Sequence, residues 1–187
     1  MPYAYDPKGL KWSDFQTNPA LSPNSRSYYN KSIKQEQFGV TLDHRYGADA
    51  ILKSYVYSGH RENTHINAPT TFVGLDRDYG GLGFDYVKKD ILFNRQATYS
   101  VGMNYDSSKE LNYRGTQTNG VISDLYSGRK EDRTAENKDF YAAVNALTSD
   151  KTSITTGFRY TNVKINLKNV SSTSAAYSGE LNATAIN

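Results

Sequence analysis

Asp78–Asp106 reads DYGGLGFDYVKKDILFNRQATYSVGMNYD, two runs of period two joined by a short connection. In the first run Leu82, Phe84 and Tyr86 alternate with Gly81, Gly83 and Asp85. In the second, Ala97, Tyr99, Val101, Met103 and Tyr105 alternate with Thr98, Ser100, Gly102, Asn104 and Asp106. Strict alternation over this length marks strands with one apolar and one polar face. One face carries aliphatics bracketed by tyrosines, and the other carries small and hydrophilic residues. A soluble sandwich buries the first face in protein and wets the second. A transmembrane barrel turns the first to lipid and the second to a wet lumen.

The same pattern extends outward from this stretch. Residues 1–34 form a polar, irregular lead-in holding four of the five prolines, Pro2, Pro7, Pro19 and Pro23, which argues against regular structure there. Strands are expected at about 35–45, 50–59, 77–88, 96–106, 139–147 and 152–163, in a segment spanning 35–163. A tight turn, Tyr46-Gly47-Ala48-Asp49, joins the first two. If it is a three-residue turn, Leu52, Ser54 and Val56 share the face of Phe38; if a two-residue turn, Lys53, Tyr55 and Tyr57 do. A charge facing mid-bilayer costs about 2–4 kcal/mol, so the three-residue turn, with Lys53 inward, is preferred. Residues 60–75 and 107–138 are expected as long polar loops, and the tail 164–187 as irregular. Connections then run short, long, short, long, short. All short turns fall at one end and all long loops at the other, the arrangement of outer-membrane barrels. The expected fold is all-β: an antiparallel meander of about six long strands from a transmembrane β-barrel.

Composition narrows the function. The 187 residues are 37% hydrophobic with mean hydropathy −0.71, and no run approaches the ~20 apolar residues of a membrane helix. Sixteen tyrosines against seven phenylalanines and one tryptophan suit a surface where a ring is greasy at one end and wet at the other. The lack of cysteine removes disulfides, Cys-zinc sites and thiol nucleophiles. A net charge of +3, scattered along the chain, gives no nucleic-acid footprint. The first residues, MPYAYDPKGLKWSDF, lack the pattern of a signal peptide.

RDYGGLGFDYV at 77–87, GRKEDRTAENKDFYAAVNAL at 128–147 and TSITTGFRYTNVKI at 152–165 resemble the barrel of TonB-dependent outer-membrane receptors of the siderophore type. In that family a strand ending in Gly-x-Arg-Tyr recurs after a short periplasmic turn; here it is Gly157-Phe158-Arg159-Tyr160. The lead-in YDPKGLKWSDFQTNPA is similar to one of the family's outer loops. The resemblance implies active import across the bacterial outer membrane of a ferric siderophore or similar nutrient. Outer loops would capture the ligand, a plug would close the barrel, and the TonB complex would supply energy through that plug. About six strands stand where the family has roughly 22, no plug is seen, and the chain ends in Ala-Ile-Asn rather than an aromatic strand. Unpaired strand edges are not viable in lipid, so the expectation is a fragment from the middle of a receptor barrel. The alternatives are a soluble, secreted, Tyr-rich β-module that binds glycan or another surface, and a passive porin-like barrel. Phe84, Tyr99, Val101, Phe158 and Tyr160 should meet lipid in the barrel and a packed core in the soluble module.

Candidate chemistry is sparse. His60, Glu62 and His65 share a loop, but their spacing fits no known zinc pattern, and loop solvation is the preferred reading. Gly80-Gly81-x-Gly83 lies inside a strand pattern and opens no helix, so small lumen-facing residues that leave room for a plug explain it better than a phosphate cradle. Tyr126, Arg129, Lys130 and Arg133 in the long loop are the candidate ligand contacts, since Arg forks and Tyr rings suit the oxygens and catechol faces of an anionic chelate. A solvated loop is the plainer reading of each. Arg159 is expected in the lumen, paired with a carboxylate of the plug or of a neighbouring strand. No catalytic constellation, metal site or cofactor fingerprint stands out, and no enzyme is expected.

Overall fold

A computed structural model describes residues 3–5, 10–21, 29–171 and 176–187. The chain forms β1 (Tyr3–Tyr5), a short helix α1 (Trp12–Thr17), then β2 (Asn30–Tyr46), β3 (Ala50–Ile66), β4 (Thr71–Leu92) and β5 (Arg95–Thr118). β6 (Val121–Asp124), β7 (Lys130–Ser149), β8 (Thr152–Asn169) and β9 (Ser178–Ile186) follow. All strands lie in one antiparallel sheet in the order β1-β2-β3-β4-β5-β7-β8-β9, with β6 folded onto the end of β5. Six of these strands are long and match the six expected, and the path holds eight rather than six. The expected irregular lead-in contains β1, α1 and the start of β2, and the expected irregular tail contains the end of β8 and all of β9; the rest of the lead-in at 1–2, 6–9 and 22–28, with Pro2, Pro7 and Pro23, and of the tail at 172–175 lies outside the described residues.

Strand length is the main correction. β5 runs 24 residues and β4 22, far beyond the roughly 9–11 that cross a bilayer at a tilt. Most of the stretches expected as loops, 60–75 and 107–138, are strand. Only 67–70 connects β3 to β4, and 119–129, with β6 inside it, connects β5 to β7. The turns 47–49, 93–94 and 150–151 fall at one end; at the other, 67–70 has four residues and a two-residue turn, 119–120, leads into β6, so of the two expected long loops only 119–129 is long. The three-residue turn 47–49, with Gly47 at φ 66°, pairs Leu42 with Ser54 and Val40 with Val56. Lys53 therefore faces away from Phe38.

Along the rows of the sheet one face is apolar near the short turns. A typical row runs Leu42, Ser54, Phe84, Met103, Phe140, Tyr160. The upper limit of this band lies at Phe38 on β2. It lies one row nearer the turns at Val56, Leu82 and Tyr105, and a further row nearer at Phe140 and Tyr160. The drift is about four residues, ~13 Å, over five strand spacings, ~24 Å, which tilts the strands by roughly 30° from the normal to the band. Strands in closed barrels tilt by about 35–45°. Among the described residues nothing covers this face: Phe38 is 76% exposed and Phe158 49%. The buried apolar cluster among the described residues is Tyr29, Ile66 and Phe72, with Tyr113 against it, at the end away from the short turns. None of Phe84, Tyr99, Val101, Phe158 and Tyr160 belongs to it.

Candidate functional site on the polar face

The polar face carries two layers of interactions. In the layer beside the apolar band, tyrosines lie flat across glycines of the neighbouring strand. Tyr55 faces Gly83, Tyr57 faces Gly81, Tyr79 faces Gly59 and Tyr141 faces Gly102. A Cβ at Gly102 would sit 2.4 Å from the Tyr141 ring, and one at Gly83 2.7 Å from Tyr55. Three hydroxyls cross the glycine strand and donate one strand further on: Tyr55 to Asn104 (3.0 Å), Tyr57 to Asp106 (2.7 Å) and Tyr141 to Asp85 (2.7 Å). The Tyr79 hydroxyl crosses Gly59 the other way, donating to Gln37 (3.1 Å) and accepting from Gln35 (2.9 Å). Room for these rings, rather than for a plug, is what Gly81 and Gly83 supply, while Gly80 sits on the apolar face opposite Ser58. Arg159 joins the same layer, donating to Asp139 of β7 (3.0 Å), which also accepts from Thr161 (2.5 Å). Arg159 thus pairs with a neighbouring-strand carboxylate.

Towards the long connections the polar face becomes a network of arginine and glutamate. Arg77 donates to Glu110, and Arg133, directly across from Glu110, holds Glu131 at 2.5 Å. Glu131 also meets Arg129 (3.3 Å) and the Tyr177 hydroxyl. Arg129 reaches Asn112 as well, at 3.3 Å. Both carboxylates are buried, Glu110 at 6% and Glu131 at 2% exposure. Burial would push the Glu131 carboxyl up, but hydrogen bonds from Tyr177 and Arg133 and the charge of Arg129 outweigh it and hold it below the usual range. The same hydrogen bond raises the Tyr177 hydroxyl.

Arg61 breaks the pairing. It lies directly opposite Arg77 in the β3–β4 ladder, a like-charge juxtaposition that costs stability unless something answers it. Its Nε is buried without a hydrogen-bond partner. Both arginines line a groove of about 370 Å³ with Tyr57, Tyr79, Asn137 and two carboxylates, Asp106 and Glu136. Four guanidiniums (Arg61, Arg77, Arg129, Arg133) thus stand with three carboxylates of the same face (Glu110, Glu131 and Asp106), an excess of one positive charge among these residues.

The four expected ligand contacts divide between the faces. Arg129 and Arg133 belong to this network. Tyr126 instead packs edge-on against Tyr113 (5.5 Å between centroids), and Lys130 lies over its ring at 4.3 Å. That places both on the Tyr113 side of the sheet, because Tyr113 pairs with Lys130 and shares its face. Sequence reading missed Arg61, Arg77, Glu110 and Glu131; the signal was a period of two running through polar residues. His60 and Glu62 occupy the apolar-face side and His65 the other, so the loop trio does not converge. Among the described residues no cluster of His, Cys, Asp or Glu could hold a metal.

A single long-stranded antiparallel sheet has an uncovered apolar band at one end, a polar face lined by tyrosine and arginine, and short turns on one side. It is a stretch of transmembrane β-barrel wall. Solved structures agree. The ferric citrate transporter FecA in its unliganded form superposes with TM-score 0.75 over 97% of this chain at 14% identity. The siderophore receptor PiuA from Acinetobacter baumannii gives 0.68 over 84% at 12%, and the ferric yersiniabactin uptake receptor FyuA from Yersinia pestis 0.52 over 84% at 12%. The chain spans 28%, 29% and 24% of these structures, so the likeness is one of fold, to a segment of the receptor barrel. These neighbours are a transporter and receptors rather than enzymes. No family model and no curated protein matches the sequence.

Proposed function

We propose that this chain is part of the wall of a TonB-dependent receptor in a bacterial outer membrane, and that the receptor imports an anionic ferric chelate of the siderophore type. The apolar band meets lipid, and the polar face lines the lumen beneath outer connections. The edges of β2 and β8 beside the band have no partner among the described residues, and in lipid such edges must pair. Further strands of the same barrel are the partners this reading supplies. Energy would arrive from the TonB complex through a plug.

The observation that carries the ligand class is the opposed pair Arg61–Arg77. A half-buried guanidinium whose Nε has no hydrogen-bond partner among the described residues, beside a second arginine on a groove of about 370 Å³, is a place where a carboxylate- or catecholate-rich chelate replaces like-charge repulsion with forked hydrogen bonds. Arg129 and Arg133 extend the same surface towards the outer connections.

The test is ligand binding by the polypeptide as its own reading frame encodes it, purified from membranes. A panel of ferric chelates of anionic, neutral and cationic character is titrated by intrinsic fluorescence. Binding of an anionic member, weakened about tenfold or more in Arg61→Gln, supports the reading. Equal binding of all three charge classes, or an Arg61→Gln variant that binds as well as the parent, overturns the ligand class. Recovery of the polypeptide only as a soluble monomer overturns the barrel.

A further inference from the structure

On the apolar face, β4, β5, β7 and β8 leave a groove of about 620 Å³. Tyr86, Tyr99 and Phe158 wall it, and the small side chains of Ala142, Val144 and Thr156 floor it. Lys88 stands at its foot, directly across from Tyr99. From Lys88 to the upper limit of the band, no other outward side chain of these four strands is charged. Asp90 lies one row nearer the turns on the same face of β4. One of its carboxylate oxygens accepts from Lys88 Nζ at 2.5 Å and the other from Ile91 N–H at 2.8 Å. Both side chains remain 47% exposed. The ammonium has two donors left and the carboxylate further lone pairs, so the pair is fixed in place but not saturated.

The tilt of the strands sorts these residues by depth. The band drifts towards the turns from β2 to β8, so a given row stands higher in the band on β8 than on β4. Lys88 and Phe158 are separated by one row, ~7 Å along the strand, and by three strand spacings, ~14 Å across it. With strands tilted roughly 30° from the normal, these add to about 13 Å along it, close to the ~15 Å of hydrocarbon in one leaflet. Lys88 is the lowest residue of the groove and Phe158 the highest. Ile154, one row below Thr156 and 58% exposed, falls at the depth of Lys88, which puts Lys88 at the lower edge of the apolar band. Asp90 lies beyond that edge, towards water. A cation with a carboxylate outside it, at the mouth of an apolar channel one leaflet deep, matches a zwitterionic lipid: phosphate inward, ammonium outward, chain in the channel.

We propose that this groove seats an aminophospholipid of the phosphatidylethanolamine type, from the leaflet on the short-turn side. Lys88 donates to the headgroup phosphate, Asp90 accepts from the primary ammonium, and an acyl chain lies over Ala142 and Val144 between Tyr99 and Phe158. A lysine at the membrane surface attracts phosphate, and both tyrosines suit the same level. Phosphatidylcholine offers the same phosphate and chains, but its trimethylated ammonium has no N–H for Asp90. On β3 and β2 the row of Lys88 holds Ala50 and Tyr46, so the seat is local to one side of the sheet. This inference rests on the membrane-barrel reading and is independent of the ligand in the lumen.

The experiment uses the polypeptide as its own reading frame encodes it, inserted in phosphatidylcholine vesicles. These carry a trace of phosphatidylethanolamine or phosphatidylcholine with a photoactivatable acyl chain. Mass spectrometry of the cross-linked peptides compares labelling of the groove, at 99–101 and 142–144, with labelling of the apolar face of β2 at 40–42. Phosphatidylethanolamine should label the groove several-fold more than phosphatidylcholine does, and β2 equally. Lys88→Gln should lower groove labelling by both probes roughly fivefold, because both carry the phosphate. Asp90→Asn should bring phosphatidylethanolamine down to the phosphatidylcholine level. Ala142→Phe, an apolar change on a lipid-facing side chain, should abolish the excess by filling the groove, and Lys109→Gln, far beyond the band, should change nothing. Equal labelling of the groove by both probes, or an excess that survives Asp90→Asn, overturns the seat while leaving the barrel intact. A polypeptide that acquires no protease-resistant sheet on vesicles overturns the barrel reading and the seat together.

Discussion

The two halves of the long strands hold their register by different means. Near the short turns, the apolar face follows a strict period of two, and the polar face is spanned by tyrosines that cross glycines to reach Asp85, Asn104 and Asp106. Beyond Tyr105 and Phe140 no apolar period of two continues, and the pairing of β5 with β7 is reinforced by the Glu110–Arg133 contact. In the first half a one-residue slip would turn every lipid-facing side chain to the lumen. In the second half ion pairs, backbone bonds and the small cluster of Tyr29, Ile66, Phe72 and Tyr113 resist slippage, and the ion pairs bear on the site. Hydrophobic patterning therefore specifies where the wall stands, and charge pairing specifies how its mouth is shaped.

The sharpest way to break this contrast is to place the same charge on the same face of one strand, above and below the boundary. Val101→Arg lies in the lipid band and should lower stability in lipid vesicles by about 2–4 kcal/mol. Leu111→Arg lies ten residues along β5 on the same face and should cost less than ~1 kcal/mol. Equal costs in a urea titration would show that the apolar band is not at the bilayer.

The tyrosine layer gives the next largest effect. Gly102→Val drives a branched side chain into the space the Tyr141 ring occupies, a loss of about 1–3 kcal/mol. Tyr141→Ser alone loses the bond to Asp85, and the pair together should recover part of the Gly102→Val cost. Strict additivity in a double-mutant cycle would show that the glycine is not there for the ring.

How much of this was legible follows from the same contrast. Six strands, the turn at 47–49 and the facing of Lys53 could be read because lipid imposes one apolar residue in two. Residues 107–118 and 130–138 could not, because both of their faces meet water and no hydrophobic period marks them. One signal was there to be used: Asn119-Gly120, the dipeptide of a two-residue hairpin, at φ 50° and 88°, pairs Thr118 with Val121. Arg129 and Arg133 were legible as basic residues near the outer end. Glu131 was passed over because a carboxylate becomes a hub only once pairing brings Arg129, Arg133 and Tyr177 to it.

That hub predicts a pH dependence confined to the outer half. The folded-state pKa of Glu131 lies below its ordinary value near 4.5. Its contribution is therefore fully present above that value and is lost as pH falls through the depressed one. Acidification should loosen the segment carrying Tyr177, whose carbonyl accepts from Asn169 N–H at 2.8 Å, before it affects the apolar half. Hydrogen exchange at Asn169 should rise by roughly tenfold, about 1.4 kcal/mol, between pH 5 and the acid limit. Glu131→Gln should be looser already at neutral pH and lack the acid step. A step that persists in the variant assigns it to another carboxylate.

The smallest effect sets one two-residue turn against the other. Phe93-Asn94 closes β4–β5 with φ 51° and 59°, the same left-handed pair of conformations as Asn119-Gly120, yet a phenylalanine is poorly suited to positive φ. Its ring is 92% exposed, so the protein itself offers no packing to offset the strain. Interfacial lipid is the compensation left, since aromatic rings settle at the headgroup level. Phe93→Asn separates the two terms by where it is measured. In detergent micelles the variant should gain about 0.5–1 kcal/mol from relieved strain. In phospholipid vesicles that gain should shrink or reverse, because the ring's place at the membrane surface is lost. A gain of the same size in both media would mean that the short-turn end stands clear of the interface. The apolar band would then stop above the turn, and the membrane level would have to move towards the arginines.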